Sequence, residues 1–195
     1  AKTKLPLKLE NFNGKLLLSN KNISIKGIGS INDSSSEIKI IIDENNLMQT
    51  NIISEAKASS FNFLNEYNFI ESGTSKLNIF IKKDMTSNNW SASFNANLFS
   101  NELYVDLLDY NKVKNKRGDV SGIIYFEDYD LLKIEDFNFY TEDMLIESNL
   151  IFEKNNKFKK LKINSFIRGT SDFIADIDIL DKTRKIKVRG TSLDV

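Results

Sequence analysis

Along most of this chain, polar and apolar residues take turns. In WSASFNANL, Trp90, Ala92, Phe94, Ala96 and Leu98 share one side, and Ser91, Ser93, Asn95 and Asn97 the other. The same period sets Ile23 with Ile25, Ile38 with Ile40 and Ile42, Leu77 with Ile79 and Ile81, Leu161 with Ile163, and Phe173 with Ala175, Ile177 and Ile179. A period of two is that of a strand, and one polar face per strand predicts a sheet wet on one side. Between the runs stand NDSSS, DENN, KDMTSNN, NKRGD, FEDYD, EKNN and DKTR, rich in turn formers. Their spacing of roughly 10–14 residues is that of consecutive antiparallel strands joined by short turns.

Two stretches depart from the pattern. AKASSFNFLNEYNF (Ala56–Phe69) carries Phe61, Leu64 and Phe69, with Ser59 or Ser60 available as an N-cap, and predicts a short helix. ELYVDLLDYNKVKNKRGD reads as a strand entering a long basic loop. No Gly/Ser/Pro-rich linker divides the chain and the single proline is Pro6, so residues 1–195 read as one domain. The expected fold is all-β: a single long antiparallel meander curled into an open hydrophobic groove, with at most one or two short helices. Alternation that continues into the last residues suggests a segment of a longer sheet. The tetrapeptide Arg-Gly-Thr-Ser occurs at Arg168 and again at Arg189, as two adjacent hairpins in the same relation to the sheet would produce.

Composition narrows the chemistry. Neither His nor Cys is present, which removes Ser-His-Asp and Cys-His arrangements, His- or thiolate-ligated zinc, and disulfides. Charges balance at 27 against 27, so no net field favours nucleic acid. No run approaches the roughly 18 apolar residues that a membrane-spanning helix needs, and AKTKLPLKLENF lacks the apolar core of a signal peptide. The acids of FEDYDLLKIEDF and TEDMLIE (Glu127, Asp128, Asp130, Glu135, Asp136, Glu142, Asp143, Glu147) fall in turns or on the wet face. There they make neither a glycosidase pair nor a calcium loop. The basic runs at Lys112–Arg117 and Lys154–Lys162 read as a loop and a strand's outer face. Among the aromatics, Phe137, Phe139 and Tyr140 are the candidates for a role beyond core packing. GIGS (Gly27–Ser30) lies inside a strand pattern with no helix after it, so it is no phosphate cradle. No catalytic residue, metal site or cofactor is expected.

A dozen one-sided strands leave a large apolar surface. A sandwich or solenoid closes it on itself and would serve a structural or interaction role. An open sheet instead presents it as a trough suited to acyl chains. A carboxylate-dependent glycan hydrolase is a distant third reading.

The stretch from Asp106 to Val195 resembles the C-terminal part of AsmA-like repeat domains, in the YhdP-like branch of Gram-negative envelope proteins related to TamB. The resemblance rests on Leu107, Tyr110, Lys112 and Gly118, an LKIEDFNF strand core, the IRGTSDF loop and a closing Gly190, Ser192, Leu193, Asp194. Upstream, FNFLNEYNFIESGTSKLNIFI is similar to that family's short helix and strand entry. The resemblance implies a non-enzymatic, periplasmic segment of a bridge anchored in the inner membrane outside this sequence. It would pair with neighbouring β-repeats and carry phospholipid toward the outer membrane. The shared parity of Leu77, Ile79, Ile81, Phe94, Leu98, Ile163, Ile177 and Ile179 nominates them as lining of such a groove.

Overall fold

The computed structural model describes residues 9–57, 70–105, 108–180 and 183–192. Twelve strands form one antiparallel sheet: β1 (Leu9–Leu18), β2 (Asn22–Ile31), β3 (Ser34–Asp43), β4 (Leu47–Lys57), β6 (Thr74–Asp84), β7 (Asn89–Asn97), β10 (Gly118–Glu127), β11 (Asp130–Thr141), β12 (Met144–Glu153), β13 (Lys157–Arg168), β14 (Ser171–Leu180) and β15 (Thr183–Ser192). They lie side by side in chain order, and the sheet does not close into a barrel. The expected all-β meander is therefore the observed one.

Local chemistry explains the turns. Asn32 and Asp33 both take positive φ, 45° and 63°, in the two-residue link between Ile31 and Ser34. Such links need φ > 0 at both positions, which Asn and Asp tolerate. The two are the first residues of NDSSS, and its serines belong to β3. Asp43 accepts from the Asn45 and Leu47 amides at 2.9 Å, and Asp84 from the Thr86 amide at 2.8 Å. These side chains mimic a backbone turn.

The meander is interrupted twice at the same end. β5 (Ile70–Ser72), β8 (Glu102–Val105) and β9 (Tyr110–Lys112) pair into a small second sheet. The strand expected at the start of Glu102–Asp119 is β8; the long loop expected after it is corrected, since Tyr110–Lys112 form β9, Gly118 and Asp119 open β10, and Val113–Arg117 form the loop between them. The predicted helix begins wrongly, since Ala56 and Lys57 belong to β4, and its residues 58–69 lie outside the described residues.

The small sheet covers one end of the apolar face. Leu103 packs on Ala96 and Leu98, with Leu77, Val120 and Phe139 around them. Tyr110, Met144 and Phe166 form a second cluster with Val105, Leu108, Ile146 and Phe173.

From β2 to β7 and on to β10 the ladder runs without a register shift. From β10 to β15 every pairing carries at least one, at Ser121/Ile123, Ile134/Phe137, Glu147/Ser148, Ile163/Phe166 and Asp172/Phe173. Bulges bend the strand that carries them and increase its twist. These five shifts trace to one extra residue on each of three alternate strands, β11, β13 and β15, which bend the C-terminal half of the sheet.

The Arg-Gly-Thr-Ser expectation is also corrected. Its first copy makes the β13–β14 turn, with Gly169 at φ 57°, whereas its second lies within β15. The Ser192 hydroxyl donates to the Thr170 carbonyl, so the two copies touch while playing different parts.

Candidate functional site

Cross-strand partners share a face, so the register converts alternation on each strand into rows across the sheet. One row runs through all twelve strands: Leu16, Ile25, Ile40, Thr50, Ile81, Ala92, Ile124, Ile134, Leu150, Leu161, Ile177, Ile186. Thr50 is its single polar member. At a strand spacing of about 4.8 Å the row is roughly 50 Å long. The neighbouring row on the opposite face begins Leu17, Ser24, Ile41, Gln49, Lys82, Ser91, Tyr125, Lys133 and ends Ile151, Lys160, Asp178, Lys185. The contrast between adjacent rows is that of a wet and a dry face.

Two further rows flank the apolar one toward the capped end. The first reads Gly14, Gly27, Ile38, Ile52, Ile79, Phe94, Gly122 and, past the bulge, Phe137, Ser148, Ile163, Ala175, Val188. Aromatic rings fill its glycine gaps: a Cβ on Gly122 would lie 3.1 Å from the Phe94 ring, and one on Gly14 2.7 Å from the Phe12 ring. The second reads Gly29, Ser36, Ser54, Leu77, Ala96, Val120, Phe139, Ile146, Phe166, Phe173, Gly190. Within it Phe166 and Phe173 stack at 4.6 Å, and buried Ser36 donates to Ser54 at 3.0 Å.

All eight nominated residues lie on this one face. Ile81 and Ile177 stand in the longest row, Ile79, Phe94 and Ile163 in the next, and Leu77 in the third. Ile179 lies two residues beyond Ile177 toward the uncapped end, opposite Arg184. Leu98 is 3 % exposed beneath Leu103, at the capped end. Most of the longest row is half-buried, with Leu16 at 58 % and Ile186 at 57 % exposure at its two ends.

Of the three aromatics singled out in the sequence, Phe137 and Phe139 face the apolar side. Tyr140 faces the other, with the Arg117 guanidinium 4.6 Å from its ring centre.

Spacing and composition did not reveal Lys112. The sequence groups it with a solvated basic run, yet it is 3 % exposed. Its ammonium donates to the carbonyls of Leu98 at 2.7 Å, Asn101 at 2.9 Å and Val113 at 3.4 Å. Burial pulls its pKa below the ordinary lysine value, opposed by the charge of Glu142. Gly118 leaves room for its stem, since a Cβ there would sit 3.0 Å from Lys112 Cδ. A single sequence carries no signal for this, because the two nearest carbonyls, of Leu98 and Asn101, come from another segment.

Beside it, Tyr110, Lys116, Arg117, Thr141, Glu142 and Asp143 border a cavity of about 240 Å³. The Tyr110 hydroxyl lies 2.8 Å from Thr141 Oγ1 and 2.9 Å from Asp143 Oδ1, and Lys116 pairs with Glu142 at 2.9 Å. Lys116 is paired with Glu142, and the Tyr110 and Thr141 hydroxyls hold Asp143, so the cavity is a polar clasp between the small sheet and the β11–β12 turn. Among the described residues, no three acids cluster as metal ligands would, and no helix is long and apolar enough to cross a membrane.

Family models, curated proteins and solved structures give no match to this chain.

Proposed function

We propose that this chain is a non-enzymatic lipid-carrying segment whose apolar face holds the acyl chains of phospholipid. The supporting observation is the row from Leu16 to Ile186, apolar at every position but Thr50 and half-buried along most of its length. Each CH₂ taken from water onto such a surface contributes about 0.8 kcal/mol, so an acyl chain lying along the row gains several kcal/mol without any specific polar contact. The row crosses strands, and its direction is set by the sheet; a chain bound along it could move from strand to strand with little change in environment. The AsmA-like resemblance supports the same reading and extends it to a periplasmic bridge between inner and outer membrane, operating with neighbouring β-repeats.

The uncapped end suits the more polar part of such a ligand. Trp90, Lys83 and Arg184 stand there on the apolar face, and indole rings favour the boundary between apolar and wet surroundings.

The direct experiment is to purify the protein from cells and measure bound phospholipid per chain by mass spectrometry. Near-stoichiometric phospholipid in the wild type, lost in a folded protein carrying Ile79→Asp and Ile177→Asp, is the expected outcome. A folded wild type free of lipid would overturn the reading.

A further inference from the structure

The last strand of the large sheet, β15, leaves one flank unpaired among the described residues, and all ten of its residues are exposed. On the wet face it carries Lys185, Lys187 and Arg189; on the apolar face Ile186 and Val188, 57 % and 47 % exposed.

The two strands before it show what such an edge pairs with. In register on the wet face, Lys160 of β13 stands opposite Asp178 of β14, which stands opposite Lys185; Lys162, Asp176 and Lys187 make a second file. Lys160 reaches both aspartates, at 4.0 Å and 3.5 Å. Charge therefore alternates strand by strand, basic, acidic, basic, and the series stops with cations at the open edge. Directly opposed unlike charges stabilise a strand pair and like charges oppose it. A further strand continuing that alternation would be acidic.

The same rule weighs against a second copy of this chain. Two β15 edges would set lysine against lysine. The other edge, β1, carries Asn13, Lys15 and Leu17 on its wet face with one carboxylate, Glu10, beyond its bulge, too few to meet both Lys185 and Lys187.

We infer that the free edge of β15 docks an extended strand with carboxylates at alternate positions and apolar residues between them, added as a thirteenth strand. Main-chain hydrogen bonds would supply the affinity, and the carboxylates the register. The added strand would also continue the apolar row beyond Ile186. This inference rests on the edge alone and is independent of whether lipid occupies the apolar face.

A peptide with the sequence of Ser171–Leu180 has the required pattern, because it already pairs with the other flank of β15. It is added to the whole protein while amide hydrogen exchange is followed strand by strand. The expected result is new protection of the β15 amides on the open flank, with β14–β15 protection retained and binding weakened by salt. The same peptide carrying Asp176→Lys and Asp178→Lys should bind about tenfold more weakly. Equal binding of the two peptides, protection falling on β1, or no protection by either would overturn the inference.

Discussion

Trp90 stacks on Phe126 with ring centres 3.9 Å apart and planes 8° from parallel, while its indole N–H donates to the Asp128 carbonyl at 2.7 Å. The two residues are direct cross-strand partners on β7 and β10, on the apolar face near the uncapped end. One contact thus ties the twelve-stranded ladder at its centre to the β10–β11 turn. Phe126 is 7 % exposed. Phe126→Ala should therefore lower the unfolding free energy by about 3 kcal/mol, as for other buried aromatics, seen as a lower urea midpoint.

Trp90 is the chain's single tryptophan, which makes it a reporter. With phospholipid on the apolar face, bromine-labelled acyl chains should quench its emission. Labels near the headgroup should quench more than labels near the chain end, because Trp90 stands toward the polar end of the face. Quenching that is absent, or independent of label depth, would contradict the proposed placement.

Lys112 is expected to be the costliest charge to remove. Lys112→Met keeps the stem but takes the ammonium from both carbonyls; Leu98 retains the Asn101 amide at 3.1 Å, and the Asn101 carbonyl loses its donor. A buried unsatisfied acceptor costs about 1–3 kcal/mol, which is the expected loss. Hydrogen exchange should show the loss concentrated in β8 and β9. A uniform loss across the large sheet would mean that Lys112 acts elsewhere.

Acid should loosen the same region. Hydrogen bonds from Lys116 and the Arg117 amide hold Glu142 below its ordinary 4.5. A depressed carboxylate contributes stability that is present above the unfolded-state pKa and is lost as pH falls through the folded-state value. Glu37, lowered by Lys26, and Asp84, lowered by Thr86, act in the same direction. The urea midpoint should thus decline between about pH 5 and pH 2. Glu142→Gln should make that decline shallower without altering its sign.

Gly73 has φ 106° and lies against the Ser100 carbonyl, where a side chain would clash with Ser100 and Asn101. Gly73→Ala should cost more than about 1 kcal/mol, from the disfavoured φ and the displaced backbone together. Circular dichroism with urea titration would measure it.

The strands of the large sheet were legible because each has a wet and a dry side, and that pattern is local. The turn clusters were legible for a similar reason: Asn, Asp and Ser satisfy turn backbones with their own side chains. Of the small sheet only β8 was. β5 and β9 have three residues each, too few for a period to show, and they are strands only because distant segments meet at one end of the meander. Lys112 was misread for the same reason, since lysine in a basic run is ordinarily solvated and only the carbonyls of Leu98 and Asn101 make it otherwise.

Sequence by itself determined which residues share a face within each uninterrupted run of alternation, though not past a bulge, where Ile134 and Phe137 come to the same face. It could not determine which residues stand opposite one another, because a slip of two positions preserves every face. Pairing across strands decided that, placing Ile81 beside Ala92 and Ile177 beside Ile186 and so turning twelve separate alternations into one apolar row. The same pairing aligned the bulges and left cations at the β15 edge. Alternation is a property of one strand, whereas a row exists only between strands, and so only the folded sheet contains it.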